Sequence, residues 1–168
     1  MSNSLASNAW TPRDQWDALI RGEACPLCQA IHTTVSTDAY GGTITDLPMS
    51  RLRLARNQFV PGYCVLICNQ HVQEPYHLLA RAPRLQFFDD MTVAAQALDH
   101  VFKPIKMNFQ LLGNAVPHLH VHLVPRYYGD AAPAQPINPD MQVVHLTRTA
   151  FEAQIQAIRA AITPLMTA

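Results

Sequence analysis

The chain has 168 residues, 49% hydrophobic and 14% charged, with no low-complexity tract, which fits one globular domain with a substantial core. Twelve lysines and arginines balance twelve aspartates and glutamates, so no net positive field exists to hold a nucleic-acid backbone through counterion release. No apolar run approaches the length needed to cross a bilayer, and the opening MSNSLASNAW lacks the basic and apolar regions of a secretory signal; the expectation is a cytoplasmic protein whose four cysteines are thiols or metal ligands.

In chain order, PRDQWDALIR at 12–21 reads as a short helix stopping at Gly22, and Cys25-Pro26-Leu27-Cys28 follows as a knuckle. From 32 to 69 the pattern turns to strands: HTTVSTDAY, a Gly41-Gly42 turn, TITDL, a break at Pro48, RLRLAR, a Pro61-Gly62 turn and YCVLICN. This is an antiparallel meander, with Arg51, Arg53 and Arg56 expected on a solvated strand face and its end. Cys64 and Cys68 are expected as small core residues. Residues 84–102 switch period, and Phe88, Met91, Ala95, Leu98 and Phe102 form the apolar stripe of an amphipathic helix limited by Pro104. IKMNFQLL at 105–112 is a strand, Gly113-Asn114 a turn, and LHVHLVPRY the hairpin partner. A loop rich in Pro and Ala (GDAAPAQPINPD) then leads to a C-terminal helix with Phe151, Ile155, Ile158 and Ile162 on one face.

The densest chemistry is PHLHVHLVPR at 117–126. On a strand, alternation puts His118, His120 and His122 on one face and Leu119, Val121 and Leu123 on the other. At about 3.3 Å per residue the imidazoles make a row roughly 13 Å long, anchored by an apolar back. A lone histidine beside an apolar run is usually a partly buried residue with one hydrogen bond. Three in strict alternation need three partners on one face, a burden without benefit unless the row is used. His32, His77, His100 and His145 sit in no such pattern and are assigned no role.

His118-Leu119-His120-Val121-His122-Leu123-Val124 resembles the signature of the histidine triad family of nucleotide hydrolases and transferases. KMNFQLLGNAVP resembles the family's preceding strand and turn, PGYCVLICNQH at 61–71 its strand ending in a histidine, and CPLC at 25–28 the CxxC of its metal-bearing, bacterial-type members. The resemblance spans about residues 23–128. It implies an α+β fold: a five-stranded antiparallel sheet against a long helix, flanked here by the N- and C-terminal helices. The expected division is an arm and helix at 1–22, the domain at 23–128, and a loop and helix at 129–168 packed on that domain. It also implies a homodimer, and cleavage at the α-phosphate of a nucleotide, with a purine nucleotide as the expected partner and no nucleic acid or membrane.

Carried over residue by residue, the resemblance makes His120 the nucleophile. A neutral imidazole can attack phosphorus and form a phosphoramidate that water later cleaves, provided its other nitrogen gives its proton to a fixed acceptor, expected to be a backbone carbonyl. His122 is expected to reach the phosphate or the bridging oxygen, as a cation stabilising charge or protonating the leaving group. Asn108, Gly113 and Asn114 are the expected substrate contacts. Asn57 is carried over weakly as a ribose contact, because its spacing to the Pro-Gly turn departs from the family's. Cys25, Cys28, His71 and His118 match the family's metal ligands and have the composition of a closed structural zinc site. Two other classes remain open: a metal-dependent hydrolase using His-x-His as catalytic ligands, and a nucleotide-binding module without turnover.

Overall fold

The computed structural model describes residues 10–138 and 141–167. Its strands are β1 (Gly41–Asp46), β2 (Ser50–Ala55), β3 (Cys64–Cys68), β4 (Lys106–Gln110) and β5 (His120–Arg126); its α-helices are α1 (Arg13–Ile20), α2 (Pro26–His32), α3 (Arg81–Phe102) and α4 (Arg148–Ile162). The five strands form one antiparallel sheet in the order β1-β2-β3-β5-β4, so the first three run as a meander and the β4–β5 hairpin closes against β3. The class is α+β. Residues 1–9 of the expected N-terminal arm, and 139–140 of the expected loop, lie outside the described residues.

Alternation along the strands divides the sheet into two faces. Leu52, Leu54, Leu66, Val121 and Leu123 are fully buried on one face with Phe87, Ala94, Ala97 and Leu98 of α3 and Phe151, Ile155, Ile158 and Ile162 of α4. Cys64 and Cys68 belong to the same core as free thiols. On the opposite face the register aligns two rows, Arg53-Val65-His122-Gln110 and Arg51-Ile67-His120. That second face carries the chemistry.

Four expectations need correction. Residues 32–40 form no strand among the named elements, since CPLCQAIH continues from the knuckle into α2, with Pro26 at its first position. Gly41 and Gly42 are not a turn but the start of β1. A Cβ on Gly41 would lie 2.2 Å from the Leu54 carbonyl oxygen, and one on Gly42 2.5 Å from Ile155 Cδ1, so both glycines answer close approach rather than a bend. The buried face of α3 is Phe87, Asp90, Ala94, Ala97 and Leu98, rotated by about one residue from the expected stripe, and Phe88 is 37% exposed. Asp90 fixes that rotation: its Oδ2 accepts from Met49 N (2.8 Å) and Ser50 Oγ (2.7 Å), and its Oδ1 from Gln86 Nε2 (3.0 Å). Finally, Arg53 is buried, with Nη2 donating to Asp38 Oδ2 at 2.7 Å and to the Gly41 carbonyl at 3.1 Å, instead of lying on a solvated face.

Thr147 caps α4 by accepting from Ala150 N (3.3 Å), and Arg159 then donates to the Ile44 and Thr43 carbonyls of β1 at 2.7 and 3.1 Å. The C-terminal helix is thereby fixed to the edge of the sheet as well as to its core. Among the described residues, no helix is long and apolar enough to cross a membrane.

Candidate active site and metal cluster

Cys25 stands immediately before α2 and Cys28 within its first turn; His71 follows β3 and His118 precedes β5. The fold brings these four to one point, their ligand atoms all within 4.8 Å of one another. His118 Nδ1 is 3.5 Å from each sulfur and 3.2 Å from His71 Nδ1, which in turn is 3.2 Å from Cys28 Sγ. The remote nitrogens fix the tautomers: His118 Nε2 donates to the Cys68 carbonyl (2.8 Å) and His71 Nε2 to the Ile20 carbonyl (3.0 Å). With those protons on Nε2, two bare Nδ1 lone pairs face each other, an arrangement that a shared cation relieves. Burial and the neighbouring Cys25 push the Cys28 thiol up to about 11, and ligation is what would hold it as thiolate. The four residues form a metal-competent site.

His120 opens β5 with its side chain on the face opposite the core. Its Nδ1–H donates to the His118 carbonyl at 2.6 Å, which leaves Nε2 as the unprotonated nitrogen. Two residues on, His122 Nδ1 lies 2.5 Å from the Tyr63 hydroxyl, the two rings stacked at 16° with centroids 5.9 Å apart. The His120 and His122 rings are 4.9 Å apart. Burial lowers the pKa of His120, and burial followed by repulsion from His120 takes His122 to about 4. Both imidazoles are thereby weaker bases than a free histidine, and a neutral His122 can act as an N–H donor.

Both imidazoles line an open cavity of about 1010 Å³, together with Tyr63, Val65, Gln110 and the Leu111–Val116 connection. Gly113 (φ +68°) and Asn114 lie on that wall, so four of the expected substrate-site residues share one cavity. Asn108 does not. It shares the face of Gln110 but stands two residues back along β4, opposite Val124; its Oδ1 accepts from Arg126 Nη1 at 2.8 Å, and it lines a neighbouring cavity of about 830 Å³. Arg126 also holds both oxygens of Asp130, whose carboxyl it takes down to about 2, and the carbonyls of Ala132 and Gln135. Asn57 is likewise occupied in fastening the chain: its Oδ1 accepts from Phe59 N and Val144 N and its Nδ2 donates to the Gln142 carbonyl.

Tyr63 and Gln110 are the site residues that the sequence reading left out. Gln110 is the register partner of His122, and Tyr63 stands one position before β3, on the parity of Val65. Parity along YCVLICN was the available signal, but only the pairing of β3 with β5 brings it beside the histidines.

A five-stranded antiparallel sheet that lays two oriented, neutral imidazoles along a cavity and gathers a Cys2His2 cluster at one end defines a class. The HIT domain model matches residues 36–129. A histidine triad protein from Bradyrhizobium japonicum is 30% identical over 73% of this chain and 91% of its own, with a TM-score of 0.67. One from Marinobacter aquaeolei VT8 is 24% identical, covering 77% of this chain and 90% of its own (TM-score 0.64). A zinc-bound histidine triad family protein from Mycobacterium smegmatis shares the fold at 18% identity, over 89% of this chain and 93% of its own (TM-score 0.52). No curated protein matches. The chain belongs to the histidine triad family.

Proposed function

We propose that this protein is a nucleotidyl hydrolase or transferase that cleaves at the α-phosphate of a purine nucleotide, either a dinucleoside polyphosphate or a nucleoside phosphoramidate, through a covalent nucleotidyl-His120 intermediate. The observation that carries the proposal is the bond from His120 Nδ1–H to the His118 carbonyl, which makes Nε2 the attacking atom. Its lone pair forms the P–N bond as the bond to the leaving group breaks, and water later displaces the histidine, splitting one hard displacement into two easier ones. His122 serves as a neutral donor to the phosphoryl or bridging oxygen, and Gly113 and Asn114 supply donors from the cavity wall. Asn108 acts at one remove, through Arg126.

The metal we propose is a structural zinc held by Cys25, Cys28, His71 and His118. Cys2His2 is the donor set of a closed structural zinc site, and the four ligand atoms lie within 4.8 Å of one another, with Cys28–His71, Cys25–His118, Cys28–His118 and His71–His118 at 3.2–3.5 Å. When bound, zinc would cross-link the N-terminal helices to the sheet. The catalytic-metal reading is disfavoured for His118-x-His120, whose side chains do not converge: His118 Nδ1 turns to the cysteines while His120 Nδ1–H is spent on a carbonyl.

We also propose a homodimer through β4, whose outer edge has no partner strand among the described residues and where Phe109, Leu111 and Leu112 are 43%, 39% and 55% exposed; a monomeric mass by light scattering at micromolar concentration would contradict it. The free state of all four cysteines supports a reducing, cytoplasmic setting. His120→Asn should lower turnover of an adenosine or guanosine phosphoramidate by at least about 10⁴-fold, with nucleotide binding retained. A quench in mid-turnover should trap acid-labile nucleotide on the peptide carrying His120. Wild-type rate in that variant rejects covalent attack, and binding without any turnover by the wild type leaves the binding-module reading in its place.

A further inference from the structure

We propose that Tyr63 is a positioning residue whose hydroxyl donates to His122 Nδ1 and so locks His122 in the tautomer that presents Nε2–H to the cavity. The inference rests on the nucleotidyl-transfer reading of the same site.

His122 has two nitrogens and, as a neutral ring, one proton to place between them. In the apposition with Tyr63 the phenol is the stronger proton donor and imidazole the stronger acceptor, so the 2.5 Å contact runs from Tyr63 O–H to Nδ1. The proton of His122 is then on Nε2. The reverse assignment would leave His120 and His122 with bare Nε2 atoms side by side, two acceptors with nothing to offer an oxygen that gains charge as phosphorus is attacked. With Tyr63 donating, the pair is complementary: His120 brings a lone pair and His122 a proton.

Tyr63 is built to hold this position. Its backbone is pinned on both sides, N–H donating to the Val60 carbonyl (3.0 Å) and its carbonyl accepting from Ala55 N (3.1 Å) and Gln58 Nε2 (3.0 Å). Gln58 Oε1 also accepts from Gly62 N at 2.9 Å, and Gly62 at φ +79° is packed where a Cβ would meet the Phe102 ring at 2.7 Å. The phenol ring is itself 7% exposed and stacked on the imidazole, with Val65 and Gln110 next to His122 in its cross-strand row. A His122 without a partner at Nδ1 would be free to exchange tautomers and to tilt, whereas this one is held at both the ring face and the nitrogen.

Tyr63→Phe removes the hydroxyl and keeps the stacked ring. We expect kcat on a nucleoside phosphoramidate to fall about 10- to 100-fold, the range of a lost preorganised donor, with KM changed less than about threefold. Because Tyr63 acts through His122, Tyr63→Phe combined with His122→Asn should be no slower than His122→Asn alone. A purely structural role would make the two losses add. Independently of activity, ¹⁵N shifts of His122 in the wild type should report Nε2–H, moving toward a tautomer mixture in Tyr63→Phe. An Nδ1–H tautomer in the wild type, unchanged kcat in Tyr63→Phe, or additive losses would overturn the proposal. Should the wild type turn over no nucleotide while its ¹⁵N shifts still report Nε2–H, the transfer reading fails and the assignment of Tyr63 as the residue that sets the His122 tautomer stands.

Discussion

Cys28→Ser, or dialysis of the wild type against a strong chelator, should release the N-terminal helices from the sheet without melting the sheet. α1 buries no residue, and α2 buries only Ala30 and Ile31, packed against Ile67 with half-buried Leu27 and Val65. Burying such groups stabilises the attachment by about 3 kcal/mol, and the two bonds from Arg51 Nη1 to the Ala30 and Thr33 carbonyls, each 3.0 Å, add about 1–3 kcal/mol. A closed Cys2His2 zinc site contributes on the order of 10 kcal/mol in apparent terms, more than all other anchors of this segment together. The main core cluster around Leu52, Leu66, Phe87 and Val121 contains no residue of either helix, so the sheet keeps its own support. Loss of the metal should cost local stability more than about 4 kcal/mol, or more than about a thousandfold in amide protection across Arg13–His32, while β2 and β5 amides change little. Hydrogen exchange read by mass spectrometry measures this directly. Wild-type protection of α2 in metal-free protein, or simultaneous loss in α2 and the sheet, would refute the argument. Turnover should fall in the same samples, because His118 holds the Nδ1 proton of His120 with its carbonyl.

Gly41→Ala should destabilise by more than about 3 kcal/mol, because the clash is with the Leu54 carbonyl on a paired backbone. Gly42→Ala should cost about 1–3 kcal/mol, since Ile155 and Phe151 side chains can yield; urea unfolding that finds the opposite order contradicts the close approach of β1 to β2. For pH, His122 titrates near 4 when folded and near 6.5 when unfolded, so the unfolded chain binds more protons between those values. Its contribution is intact above about 6.5 and is lost as pH falls through that window. Urea midpoints at pH 7 and pH 4.5 should therefore converge in His122→Asn relative to wild type, and kcat/KM of the wild type should show no acid limb near 6.5. A break in kcat/KM at 6.5 would mean that a histidine of ordinary acidity controls the reaction.

What was legible in the sequence was set by period and spacing. The alternation in HLHVHL gave the buried face of β5 correctly, and the resemblance of CPLC, His71 and His118 to the family's metal ligands named four residues that the fold brings within 4.8 Å of one another. Apolar periodicity alone could not place α3, because its buried face includes Asp90 and two alanines that no hydrophobic template counts. Register on β4 was equally opaque. Asn108 is the more familiar kind of polar site residue, yet register puts Gln110 opposite His122 and leaves Asn108 with Arg126. Arg53 was read as solvated because its partner, Asp38, lies in a segment whose irregular path before β1 has no periodic signal.

The three histidines divide their work because the ladder begins where it does. β5 starts at His120, so His118 precedes the regular pairing: its ring turns down to the cysteines while its carbonyl stays available to the ring two residues ahead. An acceptor two residues back is a local contact, and it exists for His120 alone, because His120 itself lies within the ladder opposite Ile67, where main-chain groups are directed at neighbouring strands. His122 must therefore find its Nδ1 partner on another strand, and the neighbour across the sheet supplies it as a tyrosine at the end of the Pro61-Gly62 turn. On the proposed reading, equal spacing in the sequence gives three unequal imidazoles: one ligand, one lone pair and one proton.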